Sequence, residues 1–323
     1  MKKLVQCITA LTLVLAASAS HAQEWPNQTI KLLVPFAPGG VVDVTARLLA
    51  VNMSSRLGWK VIVENKPGGN GFIAVNAAAK AEPDGYTFLV AHTGEFAGNP
   101  ALFESTIPYN LERDFAPITM ISDTPMLVVA HKDVPINNFA DLIAVAKDKP
   151  QSVTYSSPGN GSVNHLAGEW VASAAGVKLL HVPYKGGAPA AAAVASGEVM
   201  LGVVAVPAVS AFIKSGKIKV VGVTTANRAE YNKTWTTARE QGLTELDASN
   251  WVGMFAPKNV PQAILDRMYA EVRITLQDAV VKERFAAAGA ITGGMPPAAF
   301  LARIKKDAAR YREIVRSANI KAQ

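Results

Sequence analysis

The chain has 323 residues, of which 50% are hydrophobic and 18% charged, and its formal net charge is +7. This length exceeds what one core usually covers, so two globular domains are expected, and the apolar content excludes a disordered chain. The basic residues form no run of the kind that binds nucleic acid or a membrane surface, so a nucleic-acid partner is not expected. The positive charge favours attraction of small anions instead.

The first 22 residues have the pattern of a secretory signal peptide. Two lysines precede an apolar run over residues 4–17, and small residues stand at Ser20 and Ala22. Cleavage after Ala22 would lower the formal charge from +7 to +5 and remove Cys7, the single cysteine of the chain. No later segment reaches the roughly 18 apolar residues that a membrane span needs. We therefore expect a soluble periplasmic protein without disulfides.

Residues 31–47 predict a strand, a turn and a helix in succession. The apolar residues at 32–36 indicate a buried strand, the Pro/Gly-rich residues at 35–40 a turn, and the following pattern a helix with Val44, Leu48 and Val51 on one face. Such a unit leaves unpaired N–H groups at the positive end of the helix, which favours anions.

Within this turn, Gly39 and Gly40 would let the backbone approach a bound group closely. Asp43, in the first helical turn, could accept hydrogen bonds from the free N–H groups or face the ligand, and capping is the commoner role. Residues 153–175 repeat the pattern of strand, turn and helix. The sequence therefore predicts two helix starts suited to an anion, one in each domain.

The remaining pattern predicts a parallel α/β sheet, because strands alternate with helices and parallel neighbours need such crossovers. A loop over residues 92–96 follows a strand at its carboxyl end, where open α/β sheets bind ligands. Two separate strands are predicted at 118–122 and 126–129, between prolines. Further strands are predicted at 60–64, 86–91, 179–182, 199–206, 219–224 and 250–256, and further helices at 73–80, 138–147, 188–196, 208–214, 261–276, 280–288 and 297–316.

No cofactor or metal is expected. Asn164 replaces the third glycine of a dinucleotide fingerprint after Gly159 and Gly161. The mature histidines lack the spacing of a helical zinc site. His165 is at least as well explained as a buried hydrogen-bonding residue as by ligand contact. Glu169 is explained most simply as a structural partner, and Ser162 as a nucleophile would lack a predicted base.

Taken together, the motifs resemble those of a known family. PFAPGGVVDVTARLLA, VIVENKPGGNG, PDGYTFLVA, YSSPGNGSVNHLAGE, HVPYKGGAPA, IKSGKIK and WVGMFAP occur in this order and at these distances over essentially the whole mature chain. They are similar to the Bug-type extracytoplasmic solute receptors of tripartite tricarboxylate transporters.

The resemblance implies a type II periplasmic-binding fold, in which two α/β domains joined by crossing strands close on a carboxylate. Domain 1 would comprise residues 23–122 and 249–323, and domain 2 residues 123–248. The implied partners are a small organic carboxylate and the permease subunits of the transporter, for a monomeric receptor without enzymatic activity. The implied ligand-binding residues are Phe36, Ala37, Pro38, Gly39, Gly40, Asp43, His92, Thr93, Glu95, Ser157, Gly159, Gly161, Ser162 and His165.

One departure from the family bears on the ligand. Many relatives carry an aspartate where this chain has Val204 and Ala205, and an acidic group there could bind an ammonium. We therefore expect a dicarboxylate or an aromatic carboxylate rather than an amino acid. Glu95 weakens this expectation, because it could pair with a cation or, when protonated, donate to a second carboxylate.

Two alternatives to a transport receptor remain open from the sequence. The first is an exported α/β hydrolase acting on carboxylate esters through Ser162. The second is the same binding fold presenting its ligand to a sensor kinase.

Overall fold

The computed structural model describes residues 25–149, 152–229 and 231–321, so the predicted signal peptide lies outside the described residues. The strands are β1 (Ile30–Val34), β2 (Val61–Asn65), β3 (Thr87–His92), β4 (Phe115–His131), β5 (Thr154–Ser157), β6 (Leu180–Pro183), β7 (Leu201–Ala205), β8 (Ile218–Val223), β9 (Ser249–Pro257) and β10 (Ile291–Thr292).

The helices are α1 (Val41–Leu57), α2 (Phe72–Ala79), α3 (Asn99–Leu102), α4 (Leu111–Asp114), α5 (Phe139–Asp148), α6 (Val163–Ala175), α7 (Gly187–Ser196), α8 (Val206–Lys214), α9 (Gln262–Gln277), α10 (Ala279–Ala287) and α11 (Pro297–Ser317). A 3₁₀ turn (Gly69–Gly71) precedes α2, and a π-helical turn (Gly94–Gly98) follows β3. No helix in these described segments is long and apolar enough to cross a membrane.

The strands form one mixed sheet in the order β2-β1-β3-β9-β4-β7-β5-β6, and β8 and β10 also pair with β4. The first three strands run parallel, as the alternation of strands and helices predicted. β5 likewise runs parallel to β6 and β7. The carboxyl ends of β3 and β5 are thereby available to carry loops of a binding site.

Strand β4 corrects the prediction of two separate strands at 118–122 and 126–129. It is one strand of 17 residues. Its first part pairs with β9 and β10, and its second part pairs with β7 and β8. The prolines do not end it, because the register shifts between Pro117 and Thr119 absorb the first irregularity and Pro125 lies at the last pair of the ladder with β9.

Helix α1 has an unexpected orientation. The apolar face that the sequence singled out points outward: Val44 is 41% and Val51 61% exposed. The buried face carries Val42, Leu49 and Met53 together with the small residues Ala46 and Ala50. The periodicity indicated the wrong face, because apolar residues occur on both sides of this helix.

The largest buried apolar cluster includes residues from both predicted domains, for example Leu33 and Phe255 from domain 1 and Phe139 and Tyr155 from domain 2. A second cluster lies between α1, α9 and the first strands, and a third surrounds α7 and β7. The buried clusters therefore do not separate the two predicted domains. Their division into residues 23–122 plus 249–323 and residues 123–248 stays a prediction.

Candidate functional site

A cavity of about 420 Å³ lies beside the loops that follow β3 and β5. This volume falls in the range of small-molecule sites. The lining residues come from five separate parts of the chain, which the fold brings together. They are Phe36, Asn70, His92, Gly94, Glu95, Gly98, Asn99, Leu102, Phe103, Pro158, Gly159, Asn160, Gly161, Ser162, Val163, Asn164 and Asn250.

The turn before α6 forms one wall of the cavity. Ser162 caps the helix, because its Oγ accepts the N–H of His165 at 3.1 Å and donates to the carbonyl oxygen of Gly159 at 2.7 Å. The N–H of Gly161 donates to Nδ1 of His165 at 3.0 Å. Gly161 adopts φ +71°, a left-handed conformation that glycine accepts at little cost.

These contacts leave the first turn of α6 with free donors. Among the described residues, the N–H groups of Val163 and Asn164 have no hydrogen-bond acceptor, although both residues line the cavity. Unpaired N–H groups at the positive end of a helix attract anions. The wall can therefore bind a carboxylate without a charged side chain.

Behind this wall lies a compact group of buried polar side chains. The rings of His165 and His181 stack at 3.7 Å between centroids. Oγ of Ser157 lies 2.7 Å from Nε2 of His181, and the hydroxyl of Tyr155 donates to Glu169 at 2.6 Å. The structure thus gives Glu169 the structural role that the sequence indicated, and His181 belongs to the same group. Ser157 and His165 are buried and support the wall from behind without lining the cavity.

Burial governs the ionisation of this group. It lowers the pKa of His165 to about 3, with a further contribution from the neighbouring His181. It also lowers the pKa of His181 to about 4. Burial raises the pKa of Glu169, although the hydrogen bond from Tyr155 acts in the opposite direction. Both histidines are therefore neutral near pH 7.

The loop after β3 supplies the titratable residues of the cavity. His92 and Glu95 both line it, and Nδ1 of His92 lies 2.8 Å from Oε2 of Glu95. Thr93 faces away, since its hydroxyl accepts the N–H of Trp251 at 2.9 Å. Neither lysine nor arginine occurs among the lining residues.

The segment before α1 contributes less to the cavity than the sequence suggested. Phe36 lines it, whereas residues 37–40 are exposed and do not. Asp43 is buried and accepts the N–H of Gly39 at 2.9 Å, and it pairs with Arg47. Burial opposes its ionisation, but the Arg47 guanidinium and the Gly39 amide hold the pKa of Asp43 below its usual value. Asp43 therefore ties the turn before α1 to the helix through Gly39 and does not line the cavity, while the N-cap position, Gly40, has no side-chain cap bond.

Val204 and Ala205 lie at the end of β7 and do not line the cavity. Val204 is fully buried and pairs with Leu127 of β4. The connection to the site runs through the neighbouring residue: Nδ2 of Asn164 donates to the carbonyl oxygen of Val203 at 3.1 Å.

Several lining residues had no part in the sequence analysis. Asn70 stands in the glycine-rich turn before α2, and Asn250 lies near the start of β9, which was predicted as a strand. The sequence indicated these segments but did not single out the two asparagines. Asn99 and Leu102 belong to α3, a helix of four residues that periodicity could not reveal. In the described part of the chain, no group of three His, Cys, Asp or Glu side chains could hold a metal ion.

Comparison with known proteins assigns the family. A family model described as the tripartite tricarboxylate transporter family receptor (TctC) matches residues 45–320. The protein BugT of Bordetella pertussis is 32% identical over 274 residues, which cover 85% of this chain and 84% of BugT.

Solved structures share the fold. The R. palustris protein Rpa4515, solved with adipate, has a TM-score of 0.77 and 31% identity, covering 92% of this chain and 99% of its own. MatC from Rhodopseudomonas palustris, solved with malate, has a TM-score of 0.72 and 28% identity, covering 90% of this chain and all of its own (100%). The α/β fold and the resemblance expected from the sequence are confirmed, and the chain belongs to the TctC family of tripartite tricarboxylate transporter receptors.

Proposed function

We propose that this protein is a periplasmic receptor that binds a small organic carboxylate, either a dicarboxylate or an aromatic carboxylate, and delivers it to the permease subunits of a tripartite tricarboxylate transporter. The receptor itself carries out no reaction. Its ligand lies in the cavity between the loops after β3 and β5, and residues 23–122 plus 249–323 and residues 123–248 act as the two lobes.

One observation carries this proposal: Val163 and Asn164, whose N–H groups have no acceptor among the described residues, both line the cavity at the start of α6. Helix N-termini bind carboxylates and phosphates because their unpaired donors and the helix dipole act together. The cavity has room for a small molecule, and none of its described lining residues is a lysine or arginine, so these two amides supply donors for a carboxylate at a wall without either side chain.

Two further findings support a receptor that binds a carboxylate over a hydrolase. The relatives solved with adipate and malate have the same fold over nearly their whole length. The hydroxyl of Ser162, the nucleophile that a hydrolase would need, is occupied in capping α6. Membership of a family described as tripartite tricarboxylate transporter receptors supports the permease partner and the periplasmic location.

The substitution Val163→Pro tests the amide cradle by deleting one N–H donor. Position 163 is the first residue of α6, where proline fits well, and the preceding Ser162 has the extended ψ of 156° that proline requires. Loss of one hydrogen bond to a charged group is expected to cost about 1.5–3 kcal/mol. Calorimetry should therefore show a Kd roughly ten- to a hundredfold weaker for whichever carboxylate binds the unmodified protein.

Ala279→Pro is the matched control. Position 279 is the first residue of α10, and the preceding Asp278 has a ψ of 134°, so the same change is tolerated away from the cavity. We expect this variant to bind like the unmodified protein. Equal affinity of all three proteins for every carboxylate, or the absence of any carboxylate binding, would contradict the proposal.

A further inference from the structure

Glu95 is a buried carboxylate whose partner lies on the cavity wall. Its side chain is held next to residue 92 by two contacts: Oε2 accepts the backbone N–H of His92 at 2.9 Å and lies 2.8 Å from Nδ1 of the same residue. The residue is only 1% exposed. A buried charge is strongly disfavoured unless it is paired, so Glu95 favours a positive charge on His92.

Of the two ring nitrogens of His92, Nδ1 pairs with Glu95 and Nε2 is free to bind a ligand. Nδ1 also lies 2.9 Å from the N–H of Gly94, but it cannot donate to the carboxylate and accept from the amide at once. The carboxylate is the stronger partner because it is charged. Nε2 has no hydrogen-bond partner among the described residues, and the side chain is 19% exposed at the cavity.

Among the described residues, no other charged group from the elements around this ring contacts it. The segment after β1 contributes the ring of Phe36, whose centroid lies 4.8 Å from that of His92. The 3₁₀ turn contributes Asn70 and β9 contributes Asn250, both uncharged. The hydroxyl of Tyr109 donates to the backbone oxygen of Glu95. Burial alone would lower the pKa of His92, but the charge of Glu95 and its hydrogen bond raise the pKa above its usual value.

We propose that His92, paired with Glu95, binds the second carboxylate of a dicarboxylate ligand through its Nε2–H group. This inference rests on the proposed function, which places the first carboxylate at the start of α6. It selects a dicarboxylate over a monocarboxylate, because His92 is the one residue among the described lining residues that can carry a positive charge. It also disfavours an amino acid, because Glu95 is already occupied by His92 and an ammonium group would meet a second cation.

The test compares dicarboxylates with their monoamides, which keep the shape and lose one charge. Succinate, adipate and terephthalate are each measured against the corresponding monoamide by calorimetry between pH 6.5 and pH 9. We expect the best-bound dicarboxylate to be preferred about tenfold or more at the acidic end, since a hydrogen bond between charged groups is replaced. The preference should fall towards unity as rising pH removes the proton from His92.

Two variants and one control test whether the pH-dependent preference for dicarboxylates comes from His92 and Glu95. His92→Gln retains a hydrogen-bond donor without the charge, so its preference should be small and independent of pH. Glu95→Gln removes the counter-charge, so the midpoint of the pH dependence should move to lower pH. His131→Gln, the same change at the end of β4 away from the cavity, should behave like the unmodified protein.

The outcomes separate this inference from the proposed function. If no carboxylate of any kind binds, the receptor proposal fails, whereas binding of monocarboxylates alone keeps the receptor proposal and shows that the role of His92 is wrong. If both members of a pair bind equally well at every pH, the receptor proposal stands and the role of His92 is wrong. The pH profile of the unmodified protein decides this by itself, so the inference stays testable even if a variant fails to fold.

Discussion

Gly71 fixes the position of Glu95, and hence of His92, through a close backbone approach. It has φ +87°, and a Cβ atom there would lie 2.8 Å from Oε1 of Glu95 and 3.0 Å from its Cγ. Gly71→Ala should therefore displace Glu95 as well as strain the backbone. We expect a loss of about 1–3 kcal/mol in the free energy of unfolding, together with a weaker preference for dicarboxylates. Urea unfolding and the paired-ligand calorimetry measure the two effects.

Gly58→Ala is the control that separates backbone strain from displacement of Glu95. Gly58 has φ +68°, and nothing lies within 4 Å of a Cβ atom placed there. This variant should lose stability through the backbone alone and keep the dicarboxylate preference. If Gly71→Ala kept the same preference, Glu95 would not depend on this turn.

At this scale, the sequence predicted those site residues that follow a strand directly. His92 ends β3, and Glu95, Gly159, Gly161 and Ser162 lie in the segments that follow β3 and β5; all five line the cavity. The asparagines of the wall escaped prediction, because an isolated asparagine in a loop or short helix has no pattern of its own. Their contacts depend on tertiary structure: Nδ2 of Asn99, for example, donates to the backbone oxygen of Asn70 at 2.8 Å.

At the scale of elements, the two strand-turn-helix units that looked equivalent in sequence differ in structure. The start of α6 lines the cavity with free N–H groups, whereas the residues before α1 are exposed. The difference was not predictable, because a Pro/Gly turn indicates a free helix start but not the surface that it faces. A supporting layer of polar side chains, which includes Ser157, His165, His181 and Glu169, lies behind the start of α6.

That layer predicts a loss of stability in acid. His165 and His181 have pKa values of about 3 and 4 in the folded protein, below the usual 6.5. The unfolded chain therefore takes up protons below pH 6.5 that the folded chain refuses until about pH 4. The free energy of unfolding should fall as pH drops through this window, by at most about 1.4 kcal/mol per pH unit for each histidine. Urea unfolding at successive pH values measures the slope.

Two variants test the direction in which each group changes the pH dependence of the free energy of unfolding. His181→Gln removes one titrating ring, so the slope between pH 6.5 and pH 4 should become shallower. Glu169 acts in the opposite sense, because its raised pKa lets the folded chain bind a proton before the unfolded chain does. Glu169→Gln should therefore make the slope steeper. Identical slopes in all three proteins would show that the layer is not the source of the acid sensitivity.

At the scale of the whole molecule, the sheet and the core couple the two predicted lobes. β4 crosses between them at residue 123, and β9 begins at the second crossing. α11, from the first lobe, packs on α6 from the second: the rings of Trp170 and Tyr311 are 6.2 Å apart in an edge-to-face arrangement, and the guanidinium of Arg310 lies 5.1 Å from the Trp170 ring. Composition predicted two domains, but not that one buried cluster would extend through both.

This shared core predicts that the mature protein unfolds in one cooperative transition. Trp170 is 2% exposed and belongs to the cluster that spans both lobes. Trp170→Ala should lower the free energy of unfolding by about 3–5 kcal/mol while the transition stays single, because both lobes lose the same contact. Trp59→Ala, in the separate cluster under α1, is the control within one lobe. Calorimetry that resolved two transitions, with each tryptophan variant shifting a different one, would show that the lobes fold independently.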